Sequence, residues 1–458
     1  MRSFELLLIL STVVVLLLPR ERYPRASLIG VGVILLSAVL HVALEGARWQ
    51  MILAYVVALA VVIVAVARPE LAGWLRWTGV IGGVLLCGVA LLLGWAFPIV
   101  QLKPLLGEYD VGTLTYLVVD ESRPEIYSDD PNDVRQLNMQ IWYPAEVNGE
   151  PLAPYVPNLE VGGPAIANVF GFPSFLLNHV RLVETRSYVG PTLANEAAPF
   201  PIIFFSHGLS GVRMQNTQQI EQLASHGYIV VATDHVYAAA FTVYPDGRAI
   251  TYDENRVIRF ATPNEFPDAQ RLVQEWSADL NSMLAELEQF NGDETHPLNG
   301  AFNLDQIGVF GHSTGGGTSY EFCYQEPRCK AAFGLDPWVV PTSDRAVEDG
   351  LSDPIAIMKA PVELSDLNER RLATLWENSA RGIEIEVAQT RHFDFTDFKR
   401  LSPLLERVGL VGSIEADTLN SMMTDYLLDF FNVHLRGWEG PLLFAESADY
   451  PQADVRRK

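Results

Sequence analysis

Gly311-His312-Ser313-Thr314-Gly315 decides the fold of this chain. The five residues read G-x-S-x-G. Before them, Gln306-Ile307-Gly308-Val309-Phe310 has the apolar run of a buried strand. After them, Gly315-Gly316-Gly317-Thr318-Ser319-Tyr320-Glu321-Phe322 can enter a helix. A strand-to-helix turn holds its serine exposed in a strained conformation, and small neighbours let the two elements approach. The next residue, Thr314, then aims its backbone N–H at the place where an oxyanion forms. The three-letter pattern is common by itself. Its strand–turn–helix setting gives it weight.

Around this turn, strand signals recur at Thr113–Val119, Leu137–Tyr143, Phe200–Ser206, Tyr228–Thr233, Ile307–Phe310, Ala331–Leu335 and Ile383–Ala388. The third and fourth are continuous apolar runs, as expected of strands covered on both faces. Phe241–Tyr244 and Ala249–Tyr252 flank Pro245-Asp246-Gly247-Arg248 and read as a hairpin. Helical patterns fall between strands at Gln215–His226, Glu265–Gln289 and 315–325, and a long one closes the chain near Ile414–Leu435. This alternation predicts a mainly parallel sheet with helices on both faces, and with the serine turn set in it the expected fold is that of an α/β-hydrolase. Residues 151–190 differ, being rich in Pro, Gly and Asn and carrying Phe170, Phe172, Phe175, Leu176 and Leu177. They read as a lid or lipid-facing lip, or equally as a packed loop.

A serine hydroxyl needs a histidine to take its proton and a carboxylate to hold that histidine. In an α/β-hydrolase the acid and then the histidine follow the serine in the chain. Asp336 directly follows Ala331–Leu335 and precedes Pro337-Trp338, at the carboxyl edge of a strand where open sheets bind ligands. The bland alternative is an Asp capping a turn before proline. Asp353, Asp366 and Asp394 are rivals in polar loops. Of nine histidines, His392 stands in a loop after the late strand Ile383–Ala388 and suits the base. His207 ends the third strand in Ser206-His207-Gly208-Leu209, where His-Gly shapes an oxyanion loop. Leu209 N–H is then the second oxyanion donor beside Thr314. His235 ends the fourth strand and is expected, with His207, Trp338 and Phe393, to line the substrate. His312 is expected to point away from the serine.

The first hundred residues are of another kind. Four apolar runs stand in series, roughly Phe4–Pro19, Ser27–Leu44, Met51–Ala67 and Trp77–Phe97. A spanning helix needs about 20 mostly apolar residues, so the last three qualify and the first is short. Pro19-Arg20-Glu21-Arg22 follows the first run without an A-x-A site, which favours a short span over a cleaved signal peptide. Arginines 20, 22 and 25 in the first loop and 68 and 76 in the third outnumber those elsewhere, placing these loops in the cytoplasm and both termini outside. Residues 1–100 hold seven Arg and four Glu, while 101–458 hold 25 Lys and Arg against 51 Asp and Glu, near −26. Such an acidic segment argues against nucleic acid as a partner. Cys87 lies in the fourth run. Cys323 and Cys329 are either a small disulfide permitted by an oxidising exterior or two buried thiols. Their spacing is not that of a zinc site.

The blocks Phe205-Ser206-His207-Gly208-Leu209-Ser210-Gly211-Val212-Arg213, Leu223-Ala224-Ser225-His226-Gly227-Tyr228, Gly311–Gly316, Leu335-Asp336-Pro337-Trp338 and His392-Phe393-Asp394-Phe395-Thr396-Asp397-Phe398 resemble the plasma-type platelet-activating factor acetylhydrolase family. The resemblance covers roughly residues 135–437. It implies Ser313 as nucleophile, Asp336 as acid and His392 as base, with Leu209 and Thr314 at the oxyanion positions. It also implies metal-independent, cofactor-free hydrolysis of short or oxidised sn-2 acyl esters on phospholipids. Thr314 stands where the family usually has a bulky aromatic, and Pro337 where a small residue is usual.

The expected organisation is a membrane anchor over 1–100, a linker and first strand over 101–134, and a catalytic domain over 135–458 outside the cytoplasm. The expected substrate is a lipid or small ester. A general carboxylesterase, lactonase or polyesterase fits the same residues. A catalytically silent membrane receptor domain is disfavoured by three competent triad positions.

Overall fold

The structure is a computed structural model that describes residues 1–257, 266–445 and 448–458. The chain divides into two compact units. One is Met1–Val100 with Phe175–Leu182 and Arg400–Leu404; the other is Gln101–Ser174, Val183–Lys399 and Leu405–Lys458.

The first unit is built on α1 (Ser3–Leu17), α2 (Pro24–Leu40), α3 (Ile52–Ala67) and α4 (Gly73–Ala96). Pro24 at the first position of α2 fixes a helical φ where no N–H partner exists. Leu10, Val14, Leu36, Val39, Leu59 and Leu85 are exposed while Leu8, Ile34, Val57 and Ala90 are buried. The helices are therefore apolar all round, which suits a hydrocarbon surrounding. With short extensions, Pro24–Glu45, Trp49–Ala67 and Gly73–Ala96 are long and apolar enough to cross a membrane, whereas α1 has 15 residues. One polar knot is buried among them. Arg48 Nε donates to Glu5 Oε1 at 2.6 Å and its Nη1 to the Phe97 carbonyl at 3.1 Å. Part of the 151–190 stretch belongs here. Phe175 meets Trp49 edge-on at 5.2 Å, and the ring of His179 donates to the Pro98 carbonyl at 3.1 Å.

The second unit holds a twelve-stranded sheet among the described residues. Its strands are β1 (Asp110–Pro124), β2 (Val134–Glu146), β3 (Leu152–Pro154), β4 (Glu184–Val189), β5 (Thr192–Leu193), β6 (Phe200–Ser206), β7 (Ile229–Ala232), β10 (Phe302–His312), β11 (Cys329–Leu335), β12 (Ile355–Lys359), β13 (Gly382–Val387) and β14 (Ala453–Arg457). The separate hairpin β8 (Phe241–Val243) and β9 (Ala249–Thr251) stands apart. The order is β14-β13-β12-β11-β10-β6-β7-β2-β1-β4-β3, with β5 on β2. The six strands from β13 to β7 are parallel, and the flanks are mixed. The parallel strands are apolar because both faces are covered. The longer helices are α5 (Leu159–Phe170), α6 (Thr217–Ser225), α7 (Phe266–Gly292), α8 (Thr314–Gln325), α9 (Asp366–Asn378) and α10 (Ala416–Phe431). One apolar layer joins Ile202, Phe204, Leu284 and Phe322, and the other joins Ile203, Phe205, Phe310 and Tyr426.

The chain runs from β6 outward to β7 and, later, from β10 outward the other way to β11. Strand order reverses between β6 and β10, and ligands bind at the carboxyl ends of strands at such a point. Ser206 and His312 end these two strands. Of the sequence-derived elements, the expected helix start at Glu265 lies outside the described residues. β12, α5, α9 and β14 were not expected.

Candidate active site

Ser313 follows β10 and caps α8 with φ 56° and ψ −121°. Its N–H donates to Leu335 O at 3.0 Å, and its carbonyl accepts from Trp338 N–H at 2.8 Å. This tight turn requires bare neighbours. A Cβ on Gly315 would lie 2.0 Å from the Ser206 carbonyl oxygen, so β6 and α8 could not meet.

Ser313 Oγ is 2.9 Å from His392 Nε2, to which it donates, and His392 Nδ1 donates to Asp336 Oδ2 at 2.6 Å. Asp336 is buried, with φ 42°. Its N–H donates to Met358 O at 2.7 Å, and its Oδ1 accepts from Ala360 N–H at 2.9 Å. Both bonds come from the end of β12, an element the sequence reading left out. The rival carboxylate Asp394 is otherwise spent. It accepts from Arg391 N–H at 2.6 Å and from Lys399 Nζ at 2.6 Å, pinning the loop that carries His392.

Thr314 opens α8, so its N–H is among those a helix leaves without an intrahelical acceptor. Gly208 O accepts from Gly211 N–H at 2.8 Å and from His207 Nδ1 at 2.6 Å. In a trans peptide the Leu209 N–H points opposite to that carbonyl. The loop abuts the nucleophile turn, since a Cβ on Gly208 would lie 3.3 Å from Ser313 Cβ. Leu209 and Thr314 N–H therefore remain the candidate donors beside Ser313.

Two histidines expected to line the substrate do not. His207 and His235 are fully buried. His207 Nε2 accepts from His235 N–H at 3.0 Å. His235 accepts from Ser206 Oγ at 3.0 Å, donates to Asp279 Oδ2 at 2.9 Å and stacks on Trp276 at 4.1 Å. Burial holds both imidazoles below their usual range. Ser206-His235-Asp279 thus copies the hydrogen-bond order of a triad but is fully buried, and His235 N–H holds the His207 ring that bonds the Gly208 carbonyl. Arg135 closes the group on Asp279 at 2.6 Å. Burial opposes ionisation of Asp279, but Arg135 and His235 outweigh it and keep the carboxyl well below the usual carboxylate range.

His312 has a partner the sequence did not suggest. Its Nε2 donates to the His392 carbonyl at 3.0 Å, and Gln215 Nε2 donates to its Nδ1 at 3.3 Å. Burial, then the neighbouring His392, holds it well below the usual histidine range. Its ring lies 4.6 Å from that of His392. A sequence gives no signal of this, because it depends on where the His392 loop packs.

Trp338 and Leu209 pack against Tyr127, Ala238 and Trp276 on one side. On the other, Phe393 meets Phe398 at 5.5 Å and Phe170 of α5 at 5.9 Å. Phe393 and Trp338 are partly exposed, unlike the two histidines. Cys323 on α8 and Cys329 on β11 have sulfurs at bonding distance and Cα atoms 5.0 Å apart, within disulfide range. Among the described residues, Glu5, His41 and Glu45 bring possible metal-ligand atoms within 4.8 Å. Glu5 is occupied by Arg48 and Arg2, and His41 by Glu45 and Tyr55.

A strained serine at the switch point of a mainly parallel α/β sheet, hydrogen-bonded through histidine to a buried carboxylate, defines the serine-hydrolase class of this fold. The sequence profile of the platelet-activating factor acetylhydrolase, isoform II, family matches residues 95–438, and the chain belongs to that family. It is a carboxylic ester hydrolase. Platelet-activating factor acetylhydrolase of Cavia porcellus is 24% identical over 320 residues, 65% of this chain and 72% of its own length. A probable 1-alkyl-2-acetylglycerophosphocholine esterase of Arthroderma benhamiae is 25% identical over 269 residues, 55% of this chain and 65% of its own. A solved ferulic acid esterase from Streptomyces cinnamoneus superposes with a TM-score of 0.64 at 26% identity, covering 78% of this chain and 98% of its own.

Proposed function

We propose that this chain is a membrane-anchored serine esterase that cleaves short or oxidised acyl chains from phospholipids outside the cytoplasm. The observation that carries the chemistry is the relay from Ser313 Oγ through His392 to Asp336, at 2.9 and 2.6 Å. His392 takes the serine proton as Oγ attacks the ester carbonyl. Leu209 and Thr314 N–H groups hold the oxyanion. Protonated His392 returns the proton to the leaving alcohol. A water activated by His392 then releases the acid. No cofactor enters these steps. Phe393, Phe170 and Trp338 form the apolar walls for the acyl chain.

The membrane reading is supported by three helices of sufficient length and by aromatic residues at both bundle ends. Tyr23, Trp74 and Trp77 are exposed at one end, and Trp95 at the other. Arginine placement and the paired Cys323 and Cys329 support an extracytoplasmic catalytic unit.

The test is Ser313→Ala in the full chain, with labelling by a fluorophosphonate probe and hydrolysis of short p-nitrophenyl esters. Both signals vanish on this reading, and activity that survived would end it. The likeness to a ferulic acid esterase favours a second reading, a general carboxylesterase. A preference for water-soluble esters over short-chain phospholipids would select it.

A further inference from the structure

The helical unit carries a groove that its packing leaves open. It has a volume of about 360 Å³, inside the roughly 300–1,000 Å³ range of ligand pockets. Its walls are Leu16 of α1, Val57 and Val61 of α3, and Gly79, Gly82 and Leu86 of α4. Gly83 is packed, since a Cβ there would lie 2.8 Å from Leu16 Cδ1. Gly79 and Gly82 instead face open space, with nothing within 4 Å of an added Cβ. Two bare positions therefore create the concavity.

The groove does not end in hydrocarbon. Arg20, Ala65, Leu71 and Arg76 line both it and a second pocket of about 500 Å³ that also carries the charged Arg68, Glu21 and Glu70. Arg20 donates to the Val64 carbonyl at 2.7 Å, which holds its guanidinium at the end of α3. Among the described residues, the side chain of Arg76 has only a long 3.8 Å approach to Glu21, whose side chain is 93% exposed. Arg22 lies in the loop after α1 and Arg25 in the first turn of α2, so five arginines and two glutamates gather at this end. Exposed Tyr23, Trp74 and Trp77 stand at the same end of α2 and α4, as residues at headgroup level do.

We propose that this groove binds one anionic diacyl phospholipid, with an acyl chain between α1, α3 and α4 and the phosphate on Arg20 and Arg76. The proposal rests on the membrane-spanning reading above. An apolar slot continuous with a basic mouth matches both halves of such a lipid. A free phosphate would use the mouth and leave the slot empty. A zwitterionic headgroup brings no net charge to the arginine excess.

The experiment uses the full chain. Membranes are first washed at alkaline pH; release of the protein there would remove the spanning reading and the site with it. The retained protein is purified in non-ionic detergent, offered equimolar phosphatidylglycerol and phosphatidylcholine, and weighed by native mass spectrometry. One bound phosphatidylglycerol is expected, preferred roughly tenfold or more. In the double variant Arg20→Gln, Arg76→Gln the preference disappears. In Gly82→Leu, whose Cβ meets nothing within 4 Å, whose side chain extends into the groove and which favours helix, both lipids are lost while elution stays monodisperse. Equal binding of the two lipids by the native chain, or an unchanged preference in the arginine variant of a membrane-retained protein, would overturn the proposal. Either result would leave the membrane reading intact.

Discussion

Ser313 at φ 56° and Asp336 at φ 42° both occupy backbone conformations that side chains disfavour, at a cost of about 1–3 kcal/mol each. Such strain persists only where surrounding bonds impose it, and here Leu335 O, Trp338 N–H, Met358 O and Ala360 N–H do so. Asn tolerates the left-handed region as well as Asp does. Asp336→Asn should therefore keep the fold while presenting the wrong partner to His392 Nδ1. We expect kcat to fall by about 10⁴ with little change in Tm; a fall under tenfold would remove Asp336 from the relay. His312 acts at one remove, through the His392 carbonyl. His312→Ala should lower kcat by roughly ten- to a hundredfold and leave KM nearly unchanged. A change confined to KM would instead place His312 at the substrate.

At the scale of elements, α6 carries an unusual group. Glu221 is buried against β4, where Ser187 Oγ donates to its Oε1 at 2.5 Å and Arg186 N–H at 2.8 Å, while its Oε2 has no partner among the described residues. Burial, helped by nearby Asp397 and opposed by Arg186, raises its pKa to about 7. A raised folded pKa means the native state binds the proton more tightly than the unfolded chain. The stability from this group is complete below the unfolded value of about 4.5 and is lost as pH rises through about 7. The loss is about 3 kcal/mol. Glu221→Gln should match the native Tm near pH 4.5 and exceed it at pH 8; parallel curves across that range would show that Glu221 does not titrate there. The elements also divide by what sequence can carry. β6, β10, β11 and the elbow were legible because a buried parallel strand is a continuous apolar run. Ile355–Lys359 was not, since five residues between Asp353-Pro354 and Ala360-Pro361 are too short to separate from a loop. Leu159–Phe170 hid behind Gly162-Gly163-Pro164, which propensity reads as a break. Asp279 bonds Arg135 across 144 positions of chain, and no local pattern links them. The candidate triad was readable because its serine has a local signature and its other members follow strand ends. The polar layer that braces it was not.

For the whole molecule, the charge of its two parts implies a sidedness that can be measured. Residues 1–100 concentrate arginine in the first and third loops, and the remainder is strongly acidic. If arginine-rich loops stay cytoplasmic, the loop after α1 and the surface of β1 lie on opposite sides of the membrane. The native cysteines leave this open to thiol labelling, because Cys87 is buried and the Cys323 and Cys329 sulfurs are paired. Arg22 and Ser122 are both exposed. In intact cells a membrane-impermeant maleimide should label Ser122→Cys and spare Arg22→Cys, and permeabilised cells should label both. The opposite pattern would invert the topology and put the esterase in the cytoplasm. There a Cys323–Cys329 bond would face a reducing pool, so the same cells, denatured in the presence of the maleimide to expose these buried positions, should then yield reactive thiols at both. Labelling of Ser122→Cys in intact cells, together with Cys323 and Cys329 that stay unreactive after denaturation without reductant, would tie sidedness and oxidation state to one orientation.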